Sequence, residues 1–148
     1  MIQKFLVVGA LALSLSACAS SSYDQAAVSP DATASLCQGL DHEASVLSSE
    51  RVVQTKPIYE YFGRPRLQQT KGVEMLVVAQ PGDSEAYLER AIRCEAAFRA
   101  GMDDLHPLAV EGVDVEVESR GPYFAVRLKG NSVGQGRELA QRAEHYRG

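Results

Sequence analysis

The sequence predicts an α+β two-layer sandwich: one helix, then a strand-strand-helix unit twice, with antiparallel hairpins and the helices gathered on one face. Two patterns carry that prediction. Apolar and charged residues alternate between positions 112 and 129, as a half-buried hairpin requires. On either side, residues 84–100 and 132–146 repeat apolar positions at spacings of three and four, as an amphipathic helix requires. Size and composition agree. The chain has 148 residues, 45% hydrophobic and 23% charged, which suits one globular domain. This composition excludes a wholly disordered chain, a collagen and a polytopic membrane protein. A net charge of −4 and a pI near 5.4 argue against a nucleic-acid partner.

The elements follow in order. Residues 33–47 can form the first helix, with Leu36, Leu40, Ala44 and Leu47 on one stripe, Cys37 at its edge and Gly39 weakening it. Residues 51–61 read as a strand rich in β-branched and aromatic side chains, with Pro57 marking an edge or a bulge. Residues 62–70, with Gly63 and Pro65, read as a loop. Residues 72–79 read as a second strand with Val73, Met75 and Val77 on one face.

Pro81 and Gly82 stop that strand, and Asp83 or Ser84 can cap the helix that follows. Glu85 sits well against the positive end of its dipole, and Gly101 can terminate it. Leu88, Ala91, Ile92, Cys94 and Phe98 should form the buried stripe. Val113, Val115 and Val117 then share one face of a strand whose other face is acidic. Residues 123–129 return with Phe124, Val126 and Leu128 inward. With a four-residue connection at 119–122, Val115 should face Val126 and Asp114 should face Arg127. Asn131 and Ser132 can cap the last helix, whose core residues are Leu139, Ala143 and Tyr146.

The N-terminus is different in kind. Lys4 precedes an uncharged run from Phe5 to Leu15, eleven residues long. As a helix that run measures about 16 Å, too short to span a bilayer core of about 30 Å. A cation, a short apolar run and then small residues describe an export signal. Its end, Leu15-Ser16-Ala17-Cys18, resembles the lipobox of bacterial lipoproteins. The resemblance implies a signal peptide at 1–17, diacylglyceryl attachment to the Cys18 thiol, cleavage before Cys18 and acylation (palmitate among the acyl groups) of the new amino terminus. Two or three acyl chains make anchoring stable where one is marginal. Ala19, in place of an aspartate, implies sorting to the outer membrane, facing the periplasm.

Residues 18–32 then serve as the lipidated cysteine and a flexible tether, and residues 33–148 as a single domain. Without residues 1–17 the chain has 14 basic and 19 acidic residues. An acidic body gains no general adhesion to anionic lipid, so the acyl chains should be the main membrane contact. The capped helix, valine-alternating hairpin and last helix also resemble small bacterial lipoproteins of comparable size, which carries no activity across.

Export leaves Cys37 and Cys94 in an oxidising compartment, each on the apolar side of an expected helix, where they should form a disulfide. No Cys-x-x-Cys motif points to redox activity. Residues 59–66, Tyr-Glu-Tyr-Phe-Gly-Arg-Pro-Arg, mix three aromatics with two arginines. Tyr61, Arg64 and Arg66 are the candidate contacts for a partner, an envelope protein. The competing reading packs Tyr59 and Phe62 into the core and leaves both arginines solvated.

Glu95 falls within the apolar stripe of its helix, where an ion pair with Arg99 one turn on would satisfy it. His106 reads as a surface loop residue. No catalytic residues, cofactor or metal site are expected, and Gly134-Gln135-Gly136 lacks the glycine and lysine of a phosphate loop. The sequence therefore reads as a membrane-anchored envelope lipoprotein with a non-enzymatic interaction domain. The alternative is a small-ligand or metal-binding periplasmic module built around His42, Glu43, Glu95 and Cys94.

Overall fold

The computed structural model describes residues 30–40 and 45–146, so the signal, Cys18, most of the tether, His42 and Glu43 lie outside the described residues. Within them the chain folds as α1 (Pro30–Cys37), β1 (Val52–Phe62), β2 (Leu67–Val78), α2 (Glu85–Arg99), β3 (Asp114–Arg120), β4 (Tyr123–Lys129) and α3 (Val133–Tyr146), with short 3-10 turns at Ser49–Arg51 and Pro107–Ala109. The four strands form one antiparallel sheet in the order β1-β2-β4-β3. α2 and α3 lie on the face that presents Val73, Met75, Val77, Val115, Val126 and Leu128, all at most 1% exposed. This is the α+β sandwich expected.

Four local expectations need correcting. The first helix ends at Cys37, not Leu47. Gly39 takes φ 74° and the Leu40 N–H bonds to the Cys37 carbonyl at 3.1 Å, which turns the chain out of the helix. Leu47 is still fully buried, but from a non-helical segment. Phe98 does not join the buried stripe and is 51% exposed.

The expected loop at 62–70 is mostly strand. Gly63, at φ 68°, lets the chain reverse within residues 63–66, and β2 begins at Leu67. Residues 67–70 show no apolar alternation because they have no core to face. They are held by pairing with β1 instead, Tyr59 opposite Thr70 and Phe62 opposite Leu67.

The second hairpin turns in two residues, Gly121 and Pro122, not four. Gly121 adopts φ 64°, so Arg120 already pairs with Tyr123. Val115 therefore faces Leu128, Val117 faces Val126, and Arg127 faces Glu116 rather than Asp114. The slip is two residues, which keeps the valine row inward. A slip of one would have exposed it.

His106 is not on the surface. It is 7% exposed, and the turn Pro107–Ala109 that follows is buried between α2 and α3. Cys37 and Cys94 are joined in a disulfide with Cα atoms 5.2 Å apart, tying α1 to the middle of α2. Closing a loop of 57 residues contributes about 4 kcal/mol in the chain-entropy picture.

Glycines set the spacing of the layers at two points. A Cβ on Gly72 would overlap the Leu128 carbonyl oxygen across the β2–β4 pair. One on Gly136 would overlap the Thr70 carbonyl oxygen and stand 2.6 Å from the Lys71 carbonyl carbon, so α3 lies directly on the backbone of β2.

Candidate functional site

Three polar or exposed features stand outside the core, and they differ in what they leave available to a partner. The first is the far end of the β1–β2 hairpin. β2 pairs with β4 only from Gly72 to Val78, while its pairing with β1 continues to Leu67. Residues 59–70 are thus a two-stranded arm with no third strand beside it. Tyr59, Tyr61, Phe62 and Leu67 are 45%, 61%, 48% and 60% exposed. The candidate contacts Tyr61, Arg64 and Arg66 all lie on this arm and all are exposed. Tyr59 and Phe62 are not core residues.

The arm is also positively charged. Residues 55–71 contain Lys56, Arg64, Arg66 and Lys71 against one acid, Glu60. None of these four cations makes an ion pair among the described residues. A cleft of about 320 Å³ lies at its base, where Glu60, Phe62 and Lys71 meet the start of α3. That helix end is already satisfied internally. Ser132 Oγ accepts from the Gln135 N–H at 3.2 Å, and Gln135 Oε1 accepts from the N–H groups of Asn131 and Ser132. Gly134 and Gly136 lie within the helix, so they form no phosphate loop.

The second feature is the sheet face opposite the helices, where two glutamates and two arginines close a ring. Arg120 bonds Glu74 at 3.1 Å and Glu118 at 3.2 Å. Arg127 bonds the same two carboxylates at 3.0 and 2.7 Å. Lys129 pairs with Glu116 at 2.6 Å. In the strand ladder Ala125 sits between Glu118 and Leu76, with no exposed surface. The Arg120 guanidinium reaches from β3 to Glu74 on β2, across the strand that carries Ala125. The bond to Glu74 raises the Arg127 pKa, and the bond to Lys129 holds Glu116 below the usual carboxylate value. These charges are largely spent on one another.

The third feature is a half-buried cluster behind α2. Glu95 Oε1 accepts from Arg99 Nε at 2.9 Å and Ser45 Oγ at 2.7 Å, so the expected ion pair with Arg99 is present. Glu95 Oε2 is buried without a partner. Arg99 continues to Asp104 at 3.0 Å, and the other oxygen of Asp104 accepts the His106 N–H at 2.8 Å. His106 Nδ1 accepts from the Leu108 N–H at 3.1 Å, so its hydrogen sits on Nε2, which faces Tyr146 Oη at 3.1 Å. Burial, then the Arg99 charge, lowers the His106 pKa, and burial raises that of Tyr146. Cys94, a ligand in the metal-binding alternative, is held in the disulfide. Among the described residues no three His, Cys, Asp or Glu side chains are placed to hold a metal ion.

Sequence reasoning found the arm's residues but not its form. It missed the cluster's histidine and the carboxylate-arginine ring. A signal for the ring was present, since three of its members, Glu118, Arg120 and Arg127, share the polar face of one hairpin. No protein family, curated protein or solved structure matches the chain.

Proposed function

We propose that the chain is a lipid-anchored envelope protein whose domain is a non-enzymatic interaction module, with the β1–β2 arm as its contact surface. The observation that carries the contact surface is the arm itself: large apolar side chains and unpaired cations on the far ends of two strands, where no residue joins the hydrophobic core. A polar ring that neutralises itself, and a cluster bonded largely to its own members, offer less to a partner.

The anchor rests on Leu15-Ser16-Ala17-Cys18 behind its short apolar run. The Cys37–Cys94 disulfide supports it, because such bonds persist in oxidising compartments. Ala19 supports the outer membrane as destination.

The anchor is tested by expressing the full chain and its Cys18→Ser variant in a bacterial host. The mature wild type should begin at Cys18, carry acyl chains by intact mass and enter the detergent phase. The variant should keep residues 1–17 and carry no acyl chain. A variant that still matures to an acylated, membrane-partitioning protein would overturn the anchor.

A further inference from the structure

We infer that the arm of residues 59–70 rests on an anionic phospholipid surface, the same bilayer that holds the acylated Cys18, so the inference rests on the lipid-anchored reading. Four observations lead to this occupant. Charge is divided sharply within the chain. Residues 55–71 carry four cations and one acid, and the rest of the sequence carries 11 cations and 18 acids. Beside an anionic leaflet the arm is drawn in while the body is pushed away, which orients the molecule with its arm toward the lipid.

The side chains match the chemistry of that boundary. Tyrosines at a membrane surface place their rings among acyl chains and their hydroxyls among headgroups. Arg64 and Arg66 carry guanidinium groups suited to headgroup phosphates. Phe62 and Leu67 supply the apolar part, and they are directly paired across the arm.

The arm can enter the interface without disturbing the fold. Beyond its base at Thr70, on whose carbonyl α3 rests, its strands pair only with each other, and no residue of the arm belongs to the hydrophobic core. Any occupant that covers Tyr59, Tyr61, Phe62 and Leu67 removes apolar surface from water at no cost to the rest of the domain.

The geometry of attachment agrees. Eleven residues, 19–29, lie between Cys18 and Pro30, where α1 begins. Read as a tether, a chain of that length reaches roughly 20 Å. Four paired residues of a strand extend about 13 Å, before the turn is counted. The reach of the tether and the length of the arm are thus of the same order.

The chain has no tryptophan, so Phe62→Trp installs a single reporter at the arm. The experiment uses the lipidated mature protein carrying that change, reconstituted in vesicles of phosphatidylcholine with phosphatidylglycerol and in vesicles of phosphatidylcholine alone. Emission should shift to the blue on the anionic vesicles and not on the neutral ones. The shift should be lost in high salt and when Arg64→Gln and Arg66→Gln are added. Each basic residue near such a surface strengthens its contact about fivefold, so the double change should be decisive. Equal emission on both vesicles overturns the inference. A shift that ignores salt and both arginines also overturns it, as does one that needs an added envelope protein. Intact mass of the same preparation reports the acyl chains, so a failed anchor is read separately from a failed arm.

Discussion

The Tyr146 phenol, on the last turn of α3, donates its hydrogen to the carbonyl oxygen of Leu47, 99 positions earlier in the chain. That one bond ties the C-terminal helix to the buried, non-helical segment leading into β1. The same oxygen faces His106 Nε2 at 3.1 Å, so three segments distant in sequence meet at one hydroxyl. Its removal takes the phenol donor from the Leu47 carbonyl and the phenol acceptor from the His106 Nε2–H, which keeps Glu95 Oε1 at 3.7 Å. Tyr146→Phe should therefore cost about 1–3 kcal/mol, more than a surface hydrogen bond would. Urea unfolding of the two proteins measures it. A difference below about 0.5 kcal/mol, the scale of an ordinary surface change, would show that the hydroxyl is idle.

His106 gives the domain a pH dependence with a definite sign. Burial and Arg99 hold its pKa below the ordinary 6.5, while Glu95 and Asp104 pull the other way without prevailing. Arg142, which donates to the Asp104 carbonyl at 2.8 Å, adds a further cation facing the site from α3. The unfolded chain thus takes up this proton at a higher pH than the folded one. The contribution to stability is complete above about pH 6.5 and declines as the pH falls through that value toward the folded pKa. Glu116 and Glu118 act only lower down, since both are held below the carboxylate value of 4.5. Unfolding midpoints should drop between about pH 7.5 and about pH 5.5, and His106→Gln should flatten that drop. An equal drop in the variant would assign the window to other groups.

What the sequence made legible was periodic. Valines at alternate positions marked β3 and β4, and the stripe through Leu88 and Ile92 placed α2. What it hid depended on partners distant in the chain. His106 lies in a segment without period, and nothing local says that Pro107 and Leu108 plug the gap between two helices. The end of the first helix was decided by one glycine, Gly39, against a stripe that continues past it. The arm was legible as composition, aromatics beside arginines, but not as strand, because residues 67–70 have no buried face to impose alternation. The two-residue shift at Gly121 escaped notice for a related reason. Both registers bury the valine row, so only the conformation of the glycine separates them.

Ala125 should be more sensitive than the charges around it. Its position in the centre of β4 has no exposed surface, and β4 is the strand that Arg120, on β3, must span to reach Glu74 on β2. Ala125→Leu fills that path and separates Arg120 from Glu74, with an overpacking cost of about 1–3 kcal/mol. Glu118→Gln removes charge from an exposed, salt-screened member of the ring and should lower the melting temperature less than Ala125→Leu does, the effect shrinking further in high salt. Thermal unfolding of both variants in low and high salt decides the order. If Glu118→Gln proves the more damaging, the ring rather than the packing beneath it stabilises this face.

Two glycines one residue apart in α3 should respond to alanine in opposite directions. Both occupy helical positions where alanine is intrinsically better by about 0.5–1 kcal/mol. At Gly134 the new methyl would meet only Ser132 Oγ at 3.8 Å, an ordinary contact, so the intrinsic gain is kept. At Gly136 the methyl would strike the backbone of β2, overlapping the Thr70 carbonyl oxygen and lying 2.6 Å from the Lys71 carbonyl carbon. Backbone atoms in a paired strand cannot swing aside, so α3 must lift. Lifting it loosens Leu139 and Ala143, both fully buried beneath the helix. The packing loss, about 1–3 kcal/mol, exceeds the intrinsic gain. Gly134→Ala should therefore raise the melting temperature by a few degrees and Gly136→Ala should lower it. Shifts of the same sign in both variants would mean that α3 does not rest on β2 at Gly136.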